Sequence, residues 1–295
     1  MEAFFQAGTF PCPIYCRTRD KTDEYNTRGR QFMEFLWRDC GALGDPDARQ
    51  RATQDMPAVF WELYLAHVLR ASGVRLQAQA RTVRNKKGPD LLATSPDVWI
   101  EAILPGPGTG PDRMEYPPMG IAYDVPVVPF ILRLRNAFET KANAMREYIK
   151  AGLVQRGHAT VIAISGAILP TALGEGPIPR ILQAILGVGN LVLDVERRTG
   201  RTVDHSVEHR DAVEKQSGAE VGTYPFRDSA NSHISAVIYS ASCWVNHPGR
   251  PGVEFAVIHN EYADVRLPHG WLSVGDEYWR EGDVLRSAAH SPSPA

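Results

Sequence analysis

The chain lacks a hydrophobic run long enough to cross a bilayer; no apolar stretch approaches the roughly 18 residues a span requires. It opens MEAFFQAGTFPCPIYCRTRD, without a basic segment leading into a long apolar one. No secretory signal and no membrane partner are therefore expected, and the expected location is cytoplasmic. Cysteine is scarce, with Cys12, Cys16, Cys40 and Cys243 only. Cys12 and Cys16 form a C-x3-C pair, but no second close pair or neighbouring histidine completes a zinc site, so free thiols are expected. An excess of positive charge is also missing: 32 Lys and Arg face 34 Asp and Glu, for a net charge of -2. That argues against a broad, sequence-independent nucleic-acid surface and leaves room for a local basic cleft. There is no G-x-S-x-G elbow, so acyl transfer has no support. The run Gly106-Pro107-Gly108-Thr109-Gly110-Pro111 is a poor phosphate loop, because its prolines remove N–H donors and no Lys-Ser/Thr follows. His205 and His209 are spaced i,i+4 without a third ligand and read as surface residues, while His259-Asn260 ends an apolar strand without an assigned chemistry.

What is present is an alternation of helical and strand patterns. Residues 1–25 read as irregular, and a helix is expected over 26–42. A longer helix is expected from Asp55 to Ser72, with Asp55 as N-cap, Pro57 in the first turn and Gly73 as terminator. Short strands follow at 74–80, 90–94 and 98–104, the last two joined through Ser95-Pro96-Asp97 as a hairpin. The basic stretch 81–88 reads as a turn and 105–126 as a long Gly/Pro-rich loop. A helix over 130–151, a strand over 159–165, a short helix over 179–189 and strands within 233–245 and 253–260 complete the pattern. The expected class is α/β, a mixed central sheet flanked by helices. Its expected division is an N-terminal extension (1–54), a core (55–165) and a C-terminal part completing the sheet (166–286, with an insertion near 190–230). A disordered tail is expected at 287–295.

Three charged residues break apolar patterns. Glu101 sits inside V-W-I-E-A-I-L, where a charge should be paired or hold a metal unless it faces solvent from an edge. Its hairpin would bring Asp90 to the same end of the sheet, and two carboxylates crowded together repel unless a divalent cation joins them. Glu62 lies in a helix apolar nearly all round, so it needs a partner, either a site or a structural arginine. Lys141 falls on the apolar side of its helix with Leu134 and Met145. It either snorkels outward or points its cation at the carboxylates.

Taken together, Glu62 in a helix, Gly88-Pro89-Asp90, ten intervening residues and Glu101-Ala102-Ile103 resemble the PD-(D/E)XK nuclease superfamily over roughly residues 55–165. The resemblance implies a restriction-endonuclease-like fold, with Asp90 and Glu101 as ligands of Mg2+ or Mn2+. The carbonyl of Ala102 would be a further ligand and Glu62 a supporting acid. The family lysine falls on Ile103, which cannot serve, and Lys141 is the candidate to replace it. Arg81, Arg84, Lys86 and Lys87, just before Asp90, are candidate phosphate contacts, with Arg133 and Arg135 as further candidates. The implied activity is metal-dependent hydrolysis of phosphodiesters, of DNA, in a restriction or defence role, with a homodimer as the expected assembly of a double-strand cutter. The alternatives are an inactive nuclease-fold module that binds nucleic acid or serves assembly, which Ile103 favours, and a phosphoesterase acting on small nucleotides.

Overall fold

The computed structural model describes residues 2–77, 82–83, 86–118, 120 and 122–290; at 82–83 and 86–87 it describes the backbone alone. Four helices come first: α1 (Pro13–Asp20), α2 (Glu24–Cys40), α3 (Ala48–Ala52) and α4 (Met56–Ala71). The first lies where irregular chain was expected. Pro13 fixes its entry at the first helical position and the Cys12 side chain accepts from the Tyr15 N–H, a cap that cysteine does not advertise. In α4 the expected signals operate: the Asp55 side chain accepts from the Ala58 N–H, Pro57 lies in the first turn, and Gly73 follows at φ 85°.

The strands β1 (Arg75–Gln77), β2 (Thr82–Val83), β3 (Lys86–Lys87), β4 (Leu91–Thr94) and β5 (Val98–Ile103) follow. β2 and β3 pair antiparallel, within the stretch read as a turn. Next come α5 (Val127–Lys150), closed by Gly152 at φ 72°, then β6 (Ala159–Ser165) and α6 (Arg180–Ile185). The region read as an insertion consists of hairpins lying outside the main sheet: β7 (Val188–Val195) with β8 (Thr202–His209), and β9 (Ala212–Glu214) with β10 (Glu220–Gly222). The chain ends in β11 (Ala236–Ser240), β12 (Ala256–His259), β13 (Gly275–Glu281) and β14 (Val284–His290). The last strand takes in residues 287–290, which were expected in a disordered tail; seven register pairs with β13 hold it. Residues 291–295 lie outside the described residues.

One eight-stranded sheet organises the molecule, in the order β1-β4-β5-β6-β11-β12-β13-β14. β5, β6 and β11 run parallel at its centre, and antiparallel pairs flank them. Central parallel strands are covered on both faces, which suits their near-continuous apolar sequences. Alternation along them divides the core. Val98, Ile100, Ala102, Val161, Ala163, Ile238 and Val257 face the layer of α1–α4, whereas Ile162, Ile164, Val237 and Ile258 face α5 and α6. The N-terminal extension is thus part of the core: Phe4, Tyr15, Met33 and Leu36 are fully buried in the same cluster as α4. Trp61 ties helix to sheet by donating its indole N–H to the Ala163 carbonyl at 3.0 Å. Among the described residues, no helix is long and apolar enough to cross a membrane.

Candidate metal centre

The expected hairpin forms, and its register sets the site. Leu91 pairs with Ile100 and Leu92 with Trp99, so Asp90 arrives at the level of Glu101. The Asp90 Oδ2 accepts the backbone N–H of Ala102 at 2.8 Å, which fixes the carboxylate beside the strand carrying Glu101. Glu101 itself is 4% exposed. Side chains alternate along a strand, so Glu101 shares the α5 face with Trp99 and Ile103. From that helix the Lys141 Nζ donates to Glu101 Oε1 at 2.6 Å.

The other oxygen, Glu101 Oε2, is buried and has no hydrogen-bond partner among the described residues. Unpartnered buried carboxylate oxygen is costly. Burial, reinforced by the Asp90 charge, pushes the Glu101 carboxyl up to about 7, and Lys141 only partly opposes this. Within the protein alone Glu101 therefore has one cation too few, the condition under which a divalent ion on hard oxygen ligands is favoured. The donor set of Asp90, Glu101 and the Ala102 carbonyl fits Mg2+ or Mn2+ by chemistry, since all are oxygens.

Glu62 is placed differently. It forms a two-pronged ion pair with Arg51, Nη1 to Oε1 at 3.0 Å and Nη2 to Oε2 at 2.6 Å. Its side chain is 15% exposed, and the nearest guanidinium satisfies it, as expected for a half-buried carboxylate. Arg51 also meets Asp47 at 3.3 Å and Asp45 at 3.7 Å. The hydrogen bond to Glu62 is what most strengthens its charged form, with Asp90 near enough to add attraction. Glu62 and Asp90 border one small cavity of about 10 Å3 between α4 and the sheet. That space is at the limit for a single water and far below a substrate pocket. Arg51 is the residue the sequence reading missed. Its signal, a short basic helix between Asp45-Pro46 and the Asp55 cap, does not distinguish it from Arg49.

The basic residues divide. Arg81 and Arg84 lie outside the described residues, and for Lys86 and Lys87 only the strand backbone is described. Arg135 is not available to a ligand: it is 6% exposed and donates to the Gly222 carbonyl at 2.7 Å and to Glu139 at 2.5 Å. Arg133 packs under the Gly/Pro loop, where a Cβ on Gly108 (φ 88°) would fall 2.2 Å from its guanidinium. Elsewhere, Asp39, Cys40 and His67 bring three metal-ligating atom types together. Arg70 donates to Asp39 there at 3.0 Å, and His67 Nδ1 lies 2.8 Å from the other carboxylate oxygen, so that carboxylate already has a cation.

Comparison with protein-family models, curated proteins and solved structures finds no match to this chain.

Proposed function

We propose that the chain is a divalent-metal-dependent nuclease of the PD-(D/E)XK type, hydrolysing phosphodiester bonds of DNA. Asp90, Glu101 and the Ala102 carbonyl would hold Mg2+ or Mn2+. The observation that carries this reading is the 2.6 Å contact between Lys141 and Glu101. Ile103, at the position of the motif lysine, shares a strand face with Glu101. Lys141 brings an ammonium to that same face from α5. The lysine's chemistry is thus supplied from the neighbouring helix.

A cation at this site supplies Lewis acidity toward a phosphate oxygen and makes water a better nucleophile near neutral pH. The chain's own groups do the rest. Asp90 is oriented by the Ala102 N–H. Lys141 positions the attacking water and offsets the negative charge that develops on the phosphate. Glu62, held by Arg51, braces the far side of Asp90 through the shared cavity rather than touching the reacting atoms. Contacts to the DNA backbone fall to the basic residues Arg81, Arg84, Lys86 and Lys87. Cutting both strands would take two copies of the site, as in a homodimer.

A second reading has its own support. With Ile103 in the motif and Lys141 already paired to Glu101, the fold could bind nucleic acid without cutting it. A plasmid-nicking assay in Mg2+ and Mn2+ separates the two. Wild type should nick, and Asp90→Ala, Glu101→Gln and Lys141→Ala should not. A folded wild-type chain that leaves the plasmid intact with either metal rejects the nuclease.

A further inference from the structure

At the opposite end of the sheet a second cluster gathers. Val257 pairs with Glu277, and Glu277 with Ala288. His259 and His290, the last residues of their strands, each stand two residues beyond those partners, and therefore on the same face as Glu277. β12 runs parallel to β13 and β14 antiparallel to it, so the two histidines flank Glu277 diagonally from its two sides. His269 comes over from the loop between β12 and β13, its ring 4.2 Å from that of His259.

Two of the three distances are longer than those of ordinary hydrogen bonds. His290 Nε2 lies 3.1 Å and His269 Nδ1 3.6 Å from Glu277 Oε2, and His259 Nε2 lies 3.4 Å from Oε1. A charged N–H···O bond would sit at about 2.7–2.9 Å. Two atoms each about 2.0–2.1 Å from a tetrahedral zinc ion lie about 3.3 Å apart. His259 and Glu277 are 3% and 1% exposed. His259 Nε2, Glu277 Oε2 and His290 Nε2 are all buried without a hydrogen-bond partner. The other Glu277 oxygen accepts the Gly270 N–H at 2.8 Å. The outer nitrogen of His269 lies 3.7 Å from Glu261. Outer partners of this kind orient metal ligands.

The geometry points to a Zn2+ site whose core is His259, His269 and Glu277, with ligand atoms all within 4.8 Å of one another, and whose fourth ligand is His290, brought in from its place 3.1 Å from Glu277 Oε2. A nitrogen-rich set selects zinc-class ions, whereas Mg2+ and Mn2+ prefer oxygen. The ion would pin the loop before β13 and the edge strand β14 onto the sheet. It differs in place, ligand type and metal from the centre proposed at Asp90 and Glu101.

The test uses the full chain, stripped with chelator and titrated with Zn2+ or Co2+ alone. One equivalent should bind, Co2+ should give the intense visible bands of a four-coordinate nitrogen-containing site, and chelation should lower the melting temperature. His269→Ala and His290→Ala alter the partly exposed ligands. Each should weaken binding by more than the roughly 10–100-fold that loss of an outer partner costs. Glu101→Gln, which removes a ligand from the other centre, should keep the equivalent that carries the visible bands. No uptake, a weak six-coordinate Co2+ spectrum, uptake that survives both histidine variants, or uptake abolished by Glu101→Gln would each overturn the site, leaving a hydrogen-bonded His–Glu cluster only. If a histidine variant fails to fold by circular dichroism, the wild-type Co2+ spectrum decides alone.

Discussion

Glu101 and Glu277 are the same side chain at nearly the same burial, placed at opposite ends and on opposite faces of one sheet, and their protonation tendencies diverge. Burial and the Asp90 charge raise Glu101 to about 7 against the pull of Lys141. Burial also acts on Glu277, but the imidazoles of His259 and His290 beside it and the Gly270 N–H outweigh it and hold the carboxyl at about 2. Low solvent exposure alone therefore does not set the state of a buried acid; the polar and charged neighbours around it do. Glu101 has one lysine, the Asp90 backbone N–H and an acidic neighbour, whereas Glu277 has a ring of nitrogens. The first carboxylate calls for an added hard cation, and the second is stabilised as an anion even before one is bound.

The largest expected effect breaks this contrast at its catalytic end. Lys141→Met keeps the aliphatic length and removes the charge. It should lower Mg2+-dependent nicking by on the order of 10²–10³-fold, the scale seen when one preorganised donor is lost from a transition state. Nicking at the wild-type rate would remove Lys141 from the mechanism. Next in size is a stability difference. In chelator, Glu277→Gln should cost about 3 kcal/mol, because it strips the partner from a buried ionic cluster. Glu101→Gln should stay within about 1 kcal/mol of wild type, or exceed it, because a neutral amide relieves a poorly compensated charge. Urea unfolding of the two variants measures both, and equal losses would erase the distinction drawn between the two acids.

The two ends also differed in how far the sequence revealed them. Asp90 and Glu101 belong to one hairpin, with its turn marked by Ser95-Pro96-Asp97, and Lys141 shows as a charge on the apolar side of a helix. Local period and turn chemistry suffice for such contacts. The helix-flanked mixed sheet was legible for the same reason. The histidine cluster was not, because its ligands spread from residue 259 to residue 290 without a short motif, and only register brings them together. The β13–β14 hairpin that carries two of them had a readable turn, Gly282-Asp283 with Gly282 at φ 59°. Its flanking sequences, GDEYWRE and VLRSAAH, are too polar for the hydrophobic alternation that revealed the inner strands. Glu62 was legible as an acid in need of a partner, but the partner's identity depended on where α3 packs.

That pairing gives the next prediction. Arg51→Ala removes both donors from Glu62, whose side chain is 15% exposed, and should cost about 1–3 kcal/mol in urea unfolding. If Glu62 only braces Asp90, Mg2+ affinity at Asp90 and Glu101 should change far less than stability does. An affinity loss matching that of Asp90→Ala would instead place Glu62 among the ligands and enlarge the first of the two sites.

The smallest effect extends the argument to a base. His233 sits against α5 with its Nε2 3.0 Å from the carbonyl of Ala142, the residue after Lys141. Burial holds its imidazole below the usual 6.5. The Ala142 contact and the Asp264 and Glu139 charges oppose this, and Arg146 adds to it. One acceptor is too few to reverse desolvation, the same imbalance that Glu101 shows with the opposite sign of charge. The unfolded chain then takes up a proton near 6.5, while the folded chain does so only at lower pH. The contribution to stability is complete above the unfolded value, falls as the pH drops through it, and levels off once the folded imidazole is protonated. His233→Gln, which retains a donor for Ala142, should flatten the dependence of unfolding free energy on pH between about 7 and 5, the range in which histidine titrates. An unchanged slope would show that solvent reaches this ring, and that its polar and charged neighbours rather than burial govern it as well.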